Sequence, residues 1–133
     1  MKKTLTIAIA AAALFGAAVA ANGQRDGIVA GYAAQAGVSS FSADAGRTLF
    51  LSQNTGGKEA TPSCSTCHTT DPTAAGRTRV GKPIEPMAVS RTPERFTDPD
   101  KVEKWFRRNC TSVLGRECTP EEKGNFLTFM ISQ

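Results

Sequence analysis

An all-α fold, with short helices and loops wrapped around one covalently held prosthetic group, is what this sequence predicts. Three observations lead there. Apolar stripes at helical spacing, opened by capping residues, mark four helices in the chain. Between the second and third lies Gln53 to Arg95, which has no long periodic stretch and holds five of the seven prolines. Inside that stretch stands Cys64-Ser65-Thr66-Cys67-His68, two thiols three apart followed at once by an imidazole. A structureless middle of that length argues against a compact domain unless the loops wrap something rigid.

The thiol and imidazole run says what that is. C-x-x-C-H is the attachment signature of a c-type haem: Cys64 and Cys67 add across the vinyl groups, and His68 lies over the iron as its proximal ligand. One covalent haem c is therefore expected. A thioredoxin-like C-x-x-C would follow a strand in a βαβ pattern, which is not found around Cys64. A zinc site would need Cys110 and Cys118, whose spacing is too wide for a ligand knuckle.

The elements follow in order. Met1-Lys2-Lys3 is a basic head, Thr4 to Val19 is apolar and alanine-rich, and Ala18-Val19-Ala20 offers the small residues of a cleavage site. Residues 1–20 read as a signal peptide cleaved near Ala20, and residues 21–133 as a single domain. The apolar run is too short for a membrane anchor. The processed protein is expected in the periplasm, off the membrane. Lys2 and Lys3 leave with the signal, so the formal charge falls from +4 to about +2, and two haem propionates cancel the rest. Nucleic-acid binding, which needs a surviving basic face, is not expected.

The first helix runs around Asp26 to Ala36, with Ile28, Val29, Tyr32 and Ala33 on one stripe and Gly37 as its stop. The second begins at Ser42 as N-cap and runs through Leu49 and Phe50 towards Ser52. The third is capped by Thr97, with Asp98 and Asp100 in its first turn and Pro99 where a missing N–H is harmless. Thr119-Pro120-Glu121-Glu122 is a capping box opening the fourth, whose apolar stripe is Phe126, Leu127 and Met130. With Cys64 and Cys67 taken by haem, Cys110 and Cys118 remain. An oxidising compartment favours a disulfide over two buried thiols.

His68 is the only histidine, so the other axial position falls to a different residue or stays open. On the third helix Val102, Trp105, Phe106, Asn109 and Val113 share a face, opposite Lys101, Lys104, Arg107 and Arg108. That face is expected to be buried, with Trp105 and Phe106 lining the haem. A buried Asn109 carboxamide would cost about 1–3 kcal/mol unless partnered. Iron and nearby backbone are equally good partners for it. Met87, in the proline-containing loop after the haem motif, is the rival, and by ligand chemistry alone the default. Arg77, Arg79 and Lys82 are placed to pair with propionates or to be solvated. The cations of the third helix form either a dock for an acidic redox partner or an ordinary solvated face.

Gly46-Arg47-Thr48-Leu49-Phe50 ahead of CSTCH, with an apolar last helix, resembles class I cytochromes c. From Phe41 onward the chain more closely resembles the sphaeroides haem protein family, SHP, and its relative cytochrome c″. The matching motifs are Thr61-Pro62-Ser63-CSTCH, Ala75-Gly76-Arg77-Thr78-Arg79, Pro86-Met87-Ala88, Arg95-Phe96-Thr97-Asp98, Val102 through Cys110, and Gly115-Arg116-Glu117-Cys118-Thr119. The resemblance implies a class I cytochrome c-like fold, a ferric ligand at Asn109, and a disulfide between Cys110 and Cys118. Cytochrome c″ has histidine at the Asn109 position. The resemblance further implies binding of oxygen, nitric oxide or carbon monoxide by the ferrous form, and electrons supplied by a dihaem or other c-type cytochrome. A plain electron carrier with His68 and Met87 ligation is the alternative. An enzyme is not indicated, because no acid–base pair is assembled. The first twenty or so processed residues match no motif of the family.

Intact-mass analysis of the purified protein is expected to return the processed polypeptide plus one haem that acidified acetone does not remove. A bare polypeptide mass would end the haem reading.

Overall fold

The computed structural model describes residues 6–133; the basic head of the expected signal, Met1 to Lys3, lies outside them. The order is α1 (Thr6–Ala36), α2 (Ala43–Leu51), α3 (Ser65–His68), β1 (Gly76–Arg77), β2 (Pro83–Ile84), α4 (Pro99–Leu114) and α5 (Pro120–Ser132). The strands form one small antiparallel hairpin, with Gly76 opposite Ile84 and Arg77 opposite Pro83. Among the described residues no helix is long and apolar enough to cross a membrane.

The first helix starts far earlier than the stripe from Asp26 predicts. Alanine is the strongest helix former, and Asn22 and Gly23 alone do not break the alanine-rich run that precedes the stripe. Its end falls where expected: Gly37 takes a positive φ of 69° and Val38 N–H reaches back 3.1 Å to the Ala33 carbonyl, a Schellman closure. Ser42 caps α2 by accepting from Ala45 N–H at 3.1 Å. The α4 cap is Asp98, one residue past the expected Thr97. Its carboxylate accepts from Lys101 N–H at 3.1 Å, while the Thr97 hydroxyl donates to the Glu94 carbonyl. Both bonds of the Thr119 and Glu122 capping box are made. Arg116 clamps the same Glu122 at 2.7 Å.

α5 is the central element, with α1 and α2 packed on it. Gly46 sets the α2 crossing: a Cβ there would overlap the Asn125 carbonyl and press within 2.8 Å of the Phe129 Cβ. This approach lets the fully buried Phe50 ring lie 6.2 Å from Phe126 and 5.9 Å from Phe129. Phe106 of α4 stands edge-on to Phe126 at 5.5 Å and to Tyr32 of α1 at 6.1 Å. The Tyr32 hydroxyl donates to Glu103, and Lys123 holds the same carboxylate at 2.9 Å, so α1, α4 and α5 meet at one polar knot. Burial and then the bond to Glu103 push the Tyr32 pKa far above the usual tyrosine range. Burial raises the Glu103 pKa, but hydrogen bonds from Tyr32 and Lys123 outweigh it and keep the carboxylate ionised.

Gly46→Ala is expected to lower the thermal unfolding midpoint by more than about 5 °C, the scale of an overpacked helix crossing. Gly27→Ala, where a Cβ meets nothing within 4 Å, is expected to leave it unchanged or raise it, because alanine favours helix. Calorimetry on the pair checks both.

Candidate functional site

Cys64, Cys67 and His68 sit on a single helical turn, closed by Cys67 N–H and His68 N–H to the Cys64 carbonyl at 3.3 and 3.2 Å. Spacings of three and four put both thiols and the imidazole on one side of that turn. The turn is pinned from below. Ser63, buried, donates its hydroxyl to the Phe50 carbonyl at 3.1 Å and accepts from Ser65 N–H at 3.2 Å. It is pinned from the side by Gly76, where a Cβ would overlap the Cys67 carbonyl and lie 3.0 Å from the His68 Cα. The turn ends at Thr69, with φ 62° and ψ 172°, a region that costs a residue with a side chain about 1–3 kcal/mol. Thr69 is held there by its hydroxyl, which donates to the Asp71 carbonyl at 2.8 Å and accepts from Asp71 N–H at 3.2 Å.

His68 Nδ1 is the one buried side-chain polar atom without a hydrogen-bond partner among the described residues. Burial, and then the charge of Arg95, push the His68 pKa down to about 4, so the ring is neutral at ordinary pH. A neutral imidazole is the form that binds a metal. Burial pushes the Cys64 thiol up to about 11. A thioredoxin-like C-x-x-C has its reactive thiol shifted the other way, so this pair lacks the electrostatics of such a site. Cys110 and Cys118 are joined, S–S 2.01 Å, and no three His, Cys, Asp or Glu side chains among the described residues converge on a metal-sized point, which removes the zinc reading. Two unbridged thiols beside a neutral imidazole with an orphaned ring nitrogen fit a covalently attached haem.

α4 divides the expected face between residues packed on protein and residues that are not. Val102, Phe106, Cys110 and Val113 are its buried residues, whereas Trp105 is 44% exposed and Asn109 is exposed. Cys110, bridged to Cys118, lies in the buried stripe with Phe106 and Val113, and Trp105 and Asn109 stand one turn apart along its flank. The Arg108 guanidinium stacks over Trp105 at 5.5 Å. The Asn109 carboxamide makes no hydrogen bond among the described residues; the nearby Thr111 hydroxyl, not Asn109, takes the Arg107 carbonyl. The loop leading into the thiols is tied to the end of the same helix, through Lys58 N–H to the Ser112 carbonyl at 2.7 Å and Thr61 to Ser112 at 3.2 Å. Met87 is 8% exposed and belongs to the hydrophobic core.

Sequence reasoning passed over Ser63, Thr69 and Gly76 as parts of this site, and also Arg25 and the role of Arg95. Arg25 is 4% exposed and donates to the Pro93 carbonyl at 2.6 Å and the Arg95 carbonyl at 3.3 Å. Arg95 in turn donates to the Pro86 and Glu85 carbonyls at 2.8 and 2.6 Å. A lone arginine in the first helix carries no local sign of a partner nearly seventy residues away.

A thiol pair and a neutral imidazole on one turn of a small helical fold define a c-type cytochrome. Comparison with known proteins agrees. Residues 36–130 match the family described as "Domain of unknown function (DUF1924)". The chain is 53% identical over 125 residues to "Cytochrome c-type protein SHP" of Cereibacter sphaeroides, covering 94% of this chain and 96% of that one. It is 44% identical over 78 residues to "Cytochrome c''" of Methylophilus methylotrophus, covering 58% of this chain and 53% of that protein. The structure of oxidized SHP, described as an oxygen binding cytochrome c, superposes with a TM-score of 0.79 at 55% identity, over 82% of this chain and 96% of that one. Oxidized cytochrome c'' from Methylophilus methylotrophus gives a TM-score of 0.68 at 34% identity, over 83% of this chain and 94% of that one. The chain belongs to the SHP family of c-type cytochromes.

Gly76→Ala is expected to cut haem loading several-fold in cells equipped for haem attachment, because the added methyl displaces the turn that presents Cys67 and His68. Haem absorbance per unit protein after alkaline pyridine treatment measures this. Parental loading would show that the hairpin yields.

Proposed function

We propose that this protein is a periplasmic monohaem cytochrome that binds a diatomic gas when reduced. Cys64 and Cys67 would hold the haem covalently, His68 would ligate its iron, and Asn109 would be the second ligand of the ferric state. Electrons arrive from a dihaem or other c-type cytochrome. Haem bound there supplies a redox-active iron with affinity for oxygen, nitric oxide and carbon monoxide. The observation that carries the reading is Asn109, which stands unbonded beside Trp105 on the flank of α4 while Met87 is buried in the core. The oxygen-binding description of the related solved protein supports it.

The chain's own residues account for the gating. Burial and the charge of Arg95 hold His68 neutral, and the Ser63 and Gly76 contacts hold its turn, so the imidazole would be available to iron in either redox state. Asn109 offers an amide oxygen, a hard neutral donor, and iron becomes less oxygen-seeking on reduction. Asn109 would thus be the weaker donor to reduced iron. Trp105, beside Asn109 with Phe106 packed behind it, would line the flank that a small uncharged molecule enters. Processing near Ala20 would leave Arg25 and Tyr32 in the mature chain. The protein acts as a carrier and ligand binder, and turnover of a substrate is not part of the proposal.

Asn109→Ala is expected to convert the ferric spectrum to a five-coordinate or water-ligated form, while Met87→Ala leaves the ligation bands in place and chiefly lowers stability. Optical spectra of both redox states, with and without carbon monoxide, make the test. A ferric sulfur-to-iron band that disappears in the Met87 variant, with no carbon monoxide uptake by the parent, would restore the plain electron carrier.

A further inference from the structure

The β1–β2 hairpin carries a surface that neither the fold nor the haem turn uses. Its tip is firmly built. Thr78 N–H donates to the Lys82 carbonyl at 2.8 Å, Gly81 N–H to the Thr78 carbonyl at 2.9 Å, and Lys82 N–H to the Thr78 hydroxyl at 3.0 Å. Gly81 supplies the left-handed residue, with φ 81°. This order holds Val80 out at 91% exposure between exposed Arg77, Arg79 and Lys82.

Those cations lack an acidic partner. The two ion pairs among the described residues, Arg116 with Glu122 and Lys123 with Glu103, include none of them. Glu85, the carboxylate just past β2, has its charge beside Arg95. A single exposed valine is ordinary. An ordered apolar tip ringed by uncompensated charge of one sign has the make-up of an interface, an apolar contact with a charged rim that steers the partner. The root of the hairpin is Gly76, packed against the Cys67 carbonyl and the His68 Cα, so whatever docks on the tip is brought to the haem-bearing turn.

We infer that this hairpin is the docking element for an acidic electron-donor protein, with Val80 as the apolar contact and Arg77, Arg79 and Lys82 as the steering charges. The inference rests on the proposed electron-accepting haem function. In each productive encounter one electron would pass from the donor's reduced cofactor to the ferric haem, with no proton transferred across the interface.

The test is stopped-flow reduction of the haem-loaded ferric protein by two probes: flavodoxin hydroquinone, an acidic protein donor, and lumiflavin semiquinone, a small neutral one. At low ionic strength Arg79→Glu with Lys82→Glu should slow reduction by flavodoxin at least tenfold. The gap should close as salt shortens the Debye length towards about 8 Å and below. Lumiflavin should reduce parent and variant at the same rate. Val80→Ser should slow flavodoxin reduction without changing its salt dependence. An unchanged flavodoxin rate in the hairpin variants overturns the inference. So does equal slowing with both probes, which would assign the cations to the haem itself. A loss confined to Lys101→Glu with Lys104→Glu would overturn it too, by moving the dock to α4. A parent that neither probe reduces removes the haem function and this inference together.

Discussion

Phe50 is where the core and the functional turn become one structure. Its ring is fully buried between Phe126 and Phe129, and its carbonyl receives the Ser63 hydroxyl one residue before the first haem-motif cysteine. The position of Cys64, and through one helical turn that of Cys67 and His68, is therefore referenced to the α2–α5 crossing. That crossing exists because Gly46 lets two backbones approach. A displacement at the crossing would be delivered to the imidazole, since the connecting segment is bonded on both sides and has little room to absorb it.

The N-terminal helix has a comparable role on the other side of the molecule. Arg25 is buried without a carboxylate and bonds instead to the Pro93 and Arg95 carbonyls and to Asn22. Burying a guanidinium is costly, and its hydrogen bonds are what offset the desolvation. The charge is placed where a loop has to be held: Phe96 sits at φ 62°, an unfavourable conformation for an aromatic residue, with its ring edge-on to Phe126. From that loop Arg95 reaches back to the Glu85 and Pro86 carbonyls and projects its charge towards His68. The N-terminal helix, which the expected family motifs left out but the SHP alignment covers, thus supports the loop whose Arg95 charge acts on His68.

Local chemistry was legible in the sequence and long-range chemistry was not. Ser42 and the Thr119 capping box act within four residues, and their readings hold to the residue. The disulfide joins the two cysteines left after the haem motif. The Thr97 cap failed by one position because Asp98 competes for the same N–H groups and carries a charge. On α4, Val102, Phe106 and Val113 are as compatible with a stripe through Cys110 as with one through Asn109, so periodicity alone does not say which of the two packs on protein. Only the disulfide decides between them. Gly76, Arg25 and Tyr32 act through partners distant in sequence, which no periodicity reports. The strands escaped notice because two residues are too few to alternate.

Helix α4 shows how a ligand could leave while its helix stays. Its first half is held by Glu103 in the knot with Tyr32 and Lys123. Its last turn is held three ways: by the Cys110–Cys118 bridge, by Ser112 accepting from Lys58 and Thr61, and by the close approach of Gly56 to the Leu114 carbonyl. Asn109 lies between these anchors, on the flank that packs against neither. A sliding or tilting helix would have to break contacts at both ends, including a covalent one. Rotation of a single asparagine side chain breaks none of them. On the ligation proposed above, redox-dependent release would be most easily accommodated in the torsions of Asn109, and the rigid helix would return the carboxamide to the same place.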